Sequence, residues 1–209
     1  MDRYAQKGFT LVELIVTLAV AGILLALGVP SFVEAVRESR ISTQYNQMVG
    51  SLFLARSEAV KRRRFVTVCP RSSTTSKDCG SARDWKNGWL VFVDNKVDLV
   101  ANTASLDAED ELLSVEPGLA GDNTISVFGT PAGNSTTIAD RAYVRYQSPG
   151  DTSWNAASVV ICDAVRGAES SRAVNIVLTG DIRRGRKDAS DHIARDVFNR
   201  SLATTCTAS

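Results

Sequence analysis

One run of residues limits what this chain can fold into more than any other. From Phe9 to Val29, sixteen of 21 residues are Phe, Leu, Val, Ile or Ala. As a helix rising about 1.5 Å per residue, the run spans roughly 31 Å, the thickness of a bilayer core. Yet Glu13 lies inside it. An ionised side chain in lipid costs several kcal/mol, so the position demands a cation.

Three readings of the run compete. As a secretory signal peptide it has a basic start in Arg3 and Lys7 and a small-x-small site at Ala26-Leu27-Gly28. Its apolar stretch is long for that role, and Glu13 interrupts it. As a signal anchor, the basic residues hold the N-terminus in the cytoplasm, but Glu13 gains no partner. In the third reading the chain is cut between Gly8 and Phe9. The new α-ammonium of Phe9 then stands four residues from Glu13 and supplies the cation. If the amine belongs to a neighbouring subunit, the carboxylate sets the axial register of an assembly.

The stretch "KGFTLVELIVTLAVAGILLALGVPSF" resembles the class III signal of the type IV pilin superfamily, in its basic residues, Gly8, Phe9, Glu13 and Pro30. The resemblance implies cleavage after Gly8 and N-methylation of Phe9 by a prepilin peptidase. It also implies packing of the helix in a filament core. The expected organisation is a leader over 1–8, a transmembrane and filament-core helix over 9–29, an amphipathic helix over 30–63 and a globular β domain over 64–209.

Pro30 lacks an N–H, and the helix is expected to bend or loosen there. Beyond it Ile41, Tyr45, Met48, Leu52, Ala55 and Ala59 recur at spacings of three and four, one helical face suited to pack on a sheet. Phe32, Val33 and Val36 lie off that face and are expected to meet other subunits. The basic run Lys61 to Arg64 suits a helix C-terminus.

From Phe65 the period becomes that of strands. They are expected at 65–69, 88–94, 111–115, 124–128, 142–147, 157–162 and 172–178, with loops at 95–110 and after 178. This is an α+β architecture, one long helix on antiparallel sheet. Four cysteines after an exported segment suggest disulfides, with three connectivities open. Cys69 with Cys79 would close a local loop, and Cys162 with Cys206 would pin the C-terminal tail. Each closure contributes roughly 2–4 kcal/mol.

The pieces "LARSEAVKRRRFVTVC", "WKNGWLVFVD", "VVICD" and "RAVNIVLTG" resemble, in that order, the FimT/FimU minor pilins and the H pseudopilin of type II secretion. That resemblance implies two sheets and a structural subunit that helps start, prime or cap a filament. It implies as partners other minor pilins, a major pilin, an inner-membrane assembly platform and the prepilin peptidase, with lipid around the helix before assembly. The expected location is the bacterial inner membrane, N-terminus cytoplasmic, and then the pilus. A pseudopilus of type II secretion is the alternative assembly.

No catalytic set stands out, and no enzyme or cofactor is expected. His192 is the one histidine, in a polar tail. No Cys/His spacing suits zinc. "DNKVD" (94–98) lacks the central Gly and final Glu of a calcium loop and reads as a solvated acidic loop. Asn134 and Asn199 begin sequons without a context that uses them. The second basic cluster is Arg183, Arg184, Arg186 and Lys187 around Gly185, expected on a mobile loop. Arginines there suit phosphate, and some FimT-like pilins bind DNA through a Gly-Arg-x-Arg motif at this place. Here Asp181 replaces the first arginine and opposes phosphate. DNA uptake is therefore the alternative function. A net charge of +1 points to no acidic partner by itself.

Overall fold

The computed structural model describes residues 9–96, 104–129, 138–152 and 156–206. It divides into two compact units, Met1–Ser39 and Arg40–Ser209. One helix, α1 (Leu11–Arg62), contributes to both. It begins at a Thr10 cap, whose Oγ1 accepts from the Glu13 amide at 3.2 Å. This satisfies one of the orphan donors of the first turn and leaves Glu13 beside the positive end of the helix dipole. The helix continues through Pro30. It ends where Arg63 turns left-handed at φ 54°.

In the first unit the apolar residues are open. Phe9, Leu11, Ile15, Leu18, Leu24, Leu27 and Phe32 are all exposed, Leu24 by 65%. Val33 and Val36, expected to face other subunits, are exposed as well.

In the second unit α1 buries a stripe against two antiparallel sheets. Strands β1 (Phe65–Pro70), β2 (Trp89–Asp94), β3 (Glu111–Val115) and β6 (Val144–Tyr146) form the first, in the order β3-β2-β1-β6. Strands β4 (Thr124–Gly129), β5 (Ala139–Asp140), β7 (Ala157–Asp163), β8 (Gly167–Ile176) and β9 (Ile182–Arg184) form the second, in the order β5-β4-β7-β8-β9. Alternate residues of both sheets meet the helix: Val66, Val68, Val91 and Val93 from one, Ile125, Val127, Val159, Ile161, Val174 and Ile176 from the other. Ile41, Met48, Leu52, Ala55 and Ala59 complete that core. Tyr45, expected in the stripe, is only half-buried, and Gln44 is buried instead. The Gln44 amide earns its place by hydrogen bonds, donating to Ala120 O at 2.9 Å and accepting from Asn123 at 2.7 Å.

The outer faces of both sheets are covered too. Cys69, Leu90, Phe92 and Tyr143 pack with Cys79, Ala104, Leu106 and Leu112. Val160, Cys162 and Ala173 pack with Ala194, Leu202 and Cys206. Burial on both faces explains why β2 and β7 are buried at every position and read as unbroken apolar runs. Each cover is tied down by a disulfide, Cys69–Cys79 at 2.05 Å and Cys162–Cys206 at 1.92 Å.

Two expectations about loops need correction. Asp94 is not part of a solvated acidic loop. It ends β2 at 3% exposure, and its Oδ2 accepts from Arg145 Nη2 and from Thr67 Oγ1, both at 2.8 Å. Arg145 Nε donates to Thr67 Oγ1, and its guanidinium lies 4.5 Å from the Tyr143 ring centroid. A buried charge pair of this kind is tolerated because every partner is hydrogen-bonded. The second correction concerns the basic cluster: Arg183 and Arg184 are not on a mobile loop but on β9, the edge strand of the second sheet.

Candidate functional site

Two surfaces carry the residues singled out in the sequence. The first is the N-terminal part of α1. By length and composition it holds a stretch apolar enough to cross a membrane, and none of that stretch is buried within the protein. Glu13 lies in its first turn and Phe9 just ahead of it, four residues apart and both exposed. Gly8, Arg3 and Lys7 lie outside the described residues, as does Asn134. Chemically this is an apolar rod end with one carboxylate in its first turn. It can lie in lipid or against other apolar helices, and Glu13 can take one cation.

The second surface is a groove of about 560 Å³ beside β9. Arg183, Arg184, Arg186 and Lys187 line it, with Asn175, Arg195, Asp188, Asp196 and Asn199. The four cations expected to act together therefore do converge. Gly185 cannot carry a side chain, because a Cβ there would sit 2.6 Å from the Ala173 Cβ and 2.7 Å from the Arg195 carbonyl. The chain thus passes tightly over β8 and turns its arginines outward. The Arg184 guanidinium stands 5.9 Å from the Tyr45 ring centroid. Burial raises the Tyr45 hydroxyl above its usual range, with Arg184 and Arg172 opposing.

The groove's acids are already engaged. Asp196 pairs with Arg200 at 2.6 Å, and Asp188 with Arg195 at 3.4 Å. Hydrogen bonds from the Ser190 hydroxyl and amide hold the Asp188 carboxyl down at about 2, with Arg195 adding to the effect. Asp181, expected to oppose an anion, is likewise occupied. Hydrogen bonds from Thr179 and then Arg56 hold its carboxyl below the usual range. Its Oδ1 is 2.9 Å from Arg56 Nη1.

Arg56 was not legible as a functional residue. From α1 it donates to Gly150 O and Thr179 O, both at 3.0 Å, besides pairing with Asp181. It joins the helix to the turn before β7 and the turn before β9. Those turns meet so closely that a Cβ on Gly180, at φ +75°, would lie 1.9 Å from Gly150 O. Only glycine fits there. The remaining singled-out residues form no site. His192 is exposed at φ 55°, Asn199 lies in the tail at φ 61°, and no group of three metal-ligating side chains occurs among the described residues.

The family model for the type II transport protein GspH matches residues 44–181. That for the prokaryotic N-terminal methylation motif matches residues 3–29. Fimbrial protein EcpC of Eikenella corrodens is 41% identical over 46 residues, 22% of this chain and 30% of that protein. The matched stretch thus spans less than a third of that relative. Crystal structures of the type IV minor pilin FimU of Pseudomonas aeruginosa are similar at 17% identity. One has a TM-score of 0.46 and covers 71% of this chain and 90% of that one; the other has 0.44, 69% and 92%. With two thirds of its length in that family model and a methylation motif ahead of it, the chain belongs to the GspH family and is a structural subunit of the pilin and pseudopilin type.

Proposed function

We propose that this chain is a minor type IV pilin that helps initiate, prime or cap a pilus. It waits in the inner membrane with a cytoplasmic N-terminus until a prepilin peptidase cuts after Gly8 and methylates Phe9. The observation that supports this most is the state of the apolar half of α1. Its side chains are open along residues 9–36, and Glu13 is the single carboxylate within the apolar run over 9–29. Such a surface is stable in lipid or against other subunits, and it is the transfer between the two that assembly performs. The neighbours are other minor pilins, the major pilin and the assembly platform. The test is the mature N-terminus of the exported protein and its presence in sheared filaments. A methylated or free Phe9 together with filament incorporation supports the reading. A mature protein beginning near Val29 rejects it.

The GspH match favours a second assembly, the pseudopilus of type II secretion, built with the same parts. Deleting the chain distinguishes them: loss of surface pili supports the first, and loss of secreted enzymes with pili intact supports the second. For DNA uptake one observation has moved in favour, since Arg56 neutralises Asp181. It concerns only the charge beside the groove. The structural role rests on the longer motif.

A further inference from the structure

The strands at the ends of the two sheets differ in how well their edges are protected. β6 is buried at every residue, β5 has two residues, and the pairing of β3 is irregular opposite Val91 and Phe92. Such features blunt an edge. β9 is regular: Ile182 pairs with Ile176, Arg183 with Asn175 and Arg184 with Val174. Just outside it Val177 N donates to Asp181 O, and Gly185 N to Ala173 O. Antiparallel bonds fall on alternate residues. Arg183 therefore spends its amide and carbonyl on β8, while those of Ile182 and Arg184 face away from it. Neither of these two residues finds another backbone partner among the described residues.

Helix α1 lines the space beside that edge. Tyr45, Val49, Phe53 and Arg56 follow at spacings of four, four and three, a single line along the helix. Its two ends are fixed on the β9 segment. The Arg184 guanidinium is 5.9 Å from the Tyr45 ring centroid, and Asp181 Oδ1 is 2.9 Å from Arg56 Nη1. Val49 and Phe53 lie between them, on the helix flank beside Ile182. Val49 is half-buried and Phe53 is 50% exposed, a large aromatic side chain left open on the globular unit. On the opposite face of β9, Arg183 lines the groove with Arg186 and Lys187.

We propose that β9 is the docking edge for an extended segment of a different subunit, which adds antiparallel as a further strand of the second sheet. Its backbone bonds Ile182 and Arg184. Its side chains alternate, apolar ones meeting Val49 and Phe53 and acidic ones meeting Arg183 and Arg186. The chemistry of the edge selects this occupant. A second copy's β9 brings its own arginines, and like charges opposed across a ladder repel. Duplex DNA engages the arginines, but its phosphates offer no donor to the edge carbonyls and nothing apolar to Phe53. An acidic, alternating strand satisfies all of these groups. One edge takes one strand, so the contact adds one unlike neighbour, as a minor subunit set among other pilins requires. The proposal rests on the reading of this chain as an assembly subunit and names a surface for it.

The test uses the full chain in non-ionic detergent micelles. The probe is a fluorescent peptide of about ten residues that alternates valine with glutamate, read by anisotropy. In the antiparallel arrangement the inward-facing valines are the residues whose backbone faces β9. N-methylation of the valines is expected to weaken binding at least about tenfold, and N-methylation of the glutamates to leave it within about twofold. A peptide with lysine in place of glutamate should not bind. Phe53→Ser should weaken binding at least about fivefold. Arg183→Gln with Arg186→Gln should weaken it and flatten its salt dependence. Retained disulfides and far-ultraviolet dichroism verify that each variant folds. The idea is overturned if the valine-methylated or the lysine peptide binds like the unmodified one, or if Phe53→Ser binds like wild type. It is also overturned if no peptide binds, since the arginines then only guard the edge, or if duplex DNA binds where the peptides do not. Processing at Gly8 and filament incorporation are read separately, so failure here leaves the subunit reading standing.

Discussion

The two units treat apolar surface in opposite ways. In the second unit every large apolar face has a cover from the same chain. Helix α1 closes the inner faces of both sheets, and disulfide-tied segments close the outer ones. In the first unit the same helix presents Leu, Ile and Val along its length, and nothing among the described residues covers them. Burying one such side chain is worth about 1.5–3 kcal/mol, so the exposed half stores its stabilisation for a contact outside the chain. One half of the helix belongs to folding, and in the function proposed above the other belongs to assembly.

The strongest break of this contrast is at Glu13. Glu13→Val removes the one carboxylate from the apolar run over 9–29. Insertion in the membrane should persist or improve, because the desolvation penalty is gone. Cleavage, governed by residues around Gly8, should continue. Incorporation into sheared filaments, measured against the membrane pool, should fall at least about tenfold, the effect of losing one charge contact of roughly 1.4 kcal/mol or more. Normal incorporation would show that Glu13 is not the docking charge. As a companion, Gly8→Val should leave an uncut precursor in the membrane, seen by mass spectrometry.

A matched pair of truncations measures the two halves directly. Leu52 is fully buried and Leu24 is open. Leu52→Ala should destabilise the globular unit by about 2–5 kcal/mol, through lost burial and a cavity. Leu24→Ala should leave its thermal unfolding unchanged and act only on membrane or filament partition. Equal effects of the two on thermal unfolding would erase the distinction drawn above.

How far this division could be read from the sequence depends on where each residue's partner lies. The apolar run and its carboxylate are contiguous, so length and composition expose them. The buried stripe of α1 follows from a period of 3.6, and five of its six residues are fully buried. Tyr45 packs on the core only half-buried, and Gln44 is buried beside it because it finds two polar partners some 76 and 79 residues away, which no local pattern records. Asp94 looked solvated for the same reason; its Arg145 is 51 residues on. Strand β9 was missed because three residues, two of them arginines, give no period of two, and its pairing to β8 defines it. Arg56 is one charge among several on an amphipathic helix until the two glycine turns it clamps are in place.

Smaller effects test whether the covers of the second unit are equivalent. The chain-entropy account makes the larger loop the stronger staple. Cys162–Cys206 closes a separation of 44 residues and Cys69–Cys79 one of 10, giving about 4 and about 3 kcal/mol. Replacing each pair by serines and measuring denaturant midpoints should show the first to be costlier. The same variant should expose the Val160 and Ala173 strip to a hydrophobic dye, whereas loss of Cys69–Cys79 should expose Leu90 and Phe92. Equal costs would mean that native packing, not loop closure, decides.

The smallest expected effect is a pH dependence confined to the C-terminal cover. The Asp188 carboxyl is held at about 2, below the ordinary Asp value of 3.8, first by the Ser190 hydroxyl and amide and then by Arg195. A carboxyl whose folded value is depressed stabilises the fold fully above the unfolded value, and that contribution is lost as pH falls through the folded one. The segment Asp188–Arg195 should therefore hold firm above about pH 5 and loosen as the pH falls from about 4 toward 2. Asp188 is exposed, so solvent screening keeps the effect modest. Asp188→Asn should flatten the acid limb for amides of residues 188–195 in hydrogen exchange. It should leave β1 and β2 unchanged, since they lie in the other sheet. A parallel loss of protection in β1 would mean that the two covers open together and that the second unit is closed by one cooperative core.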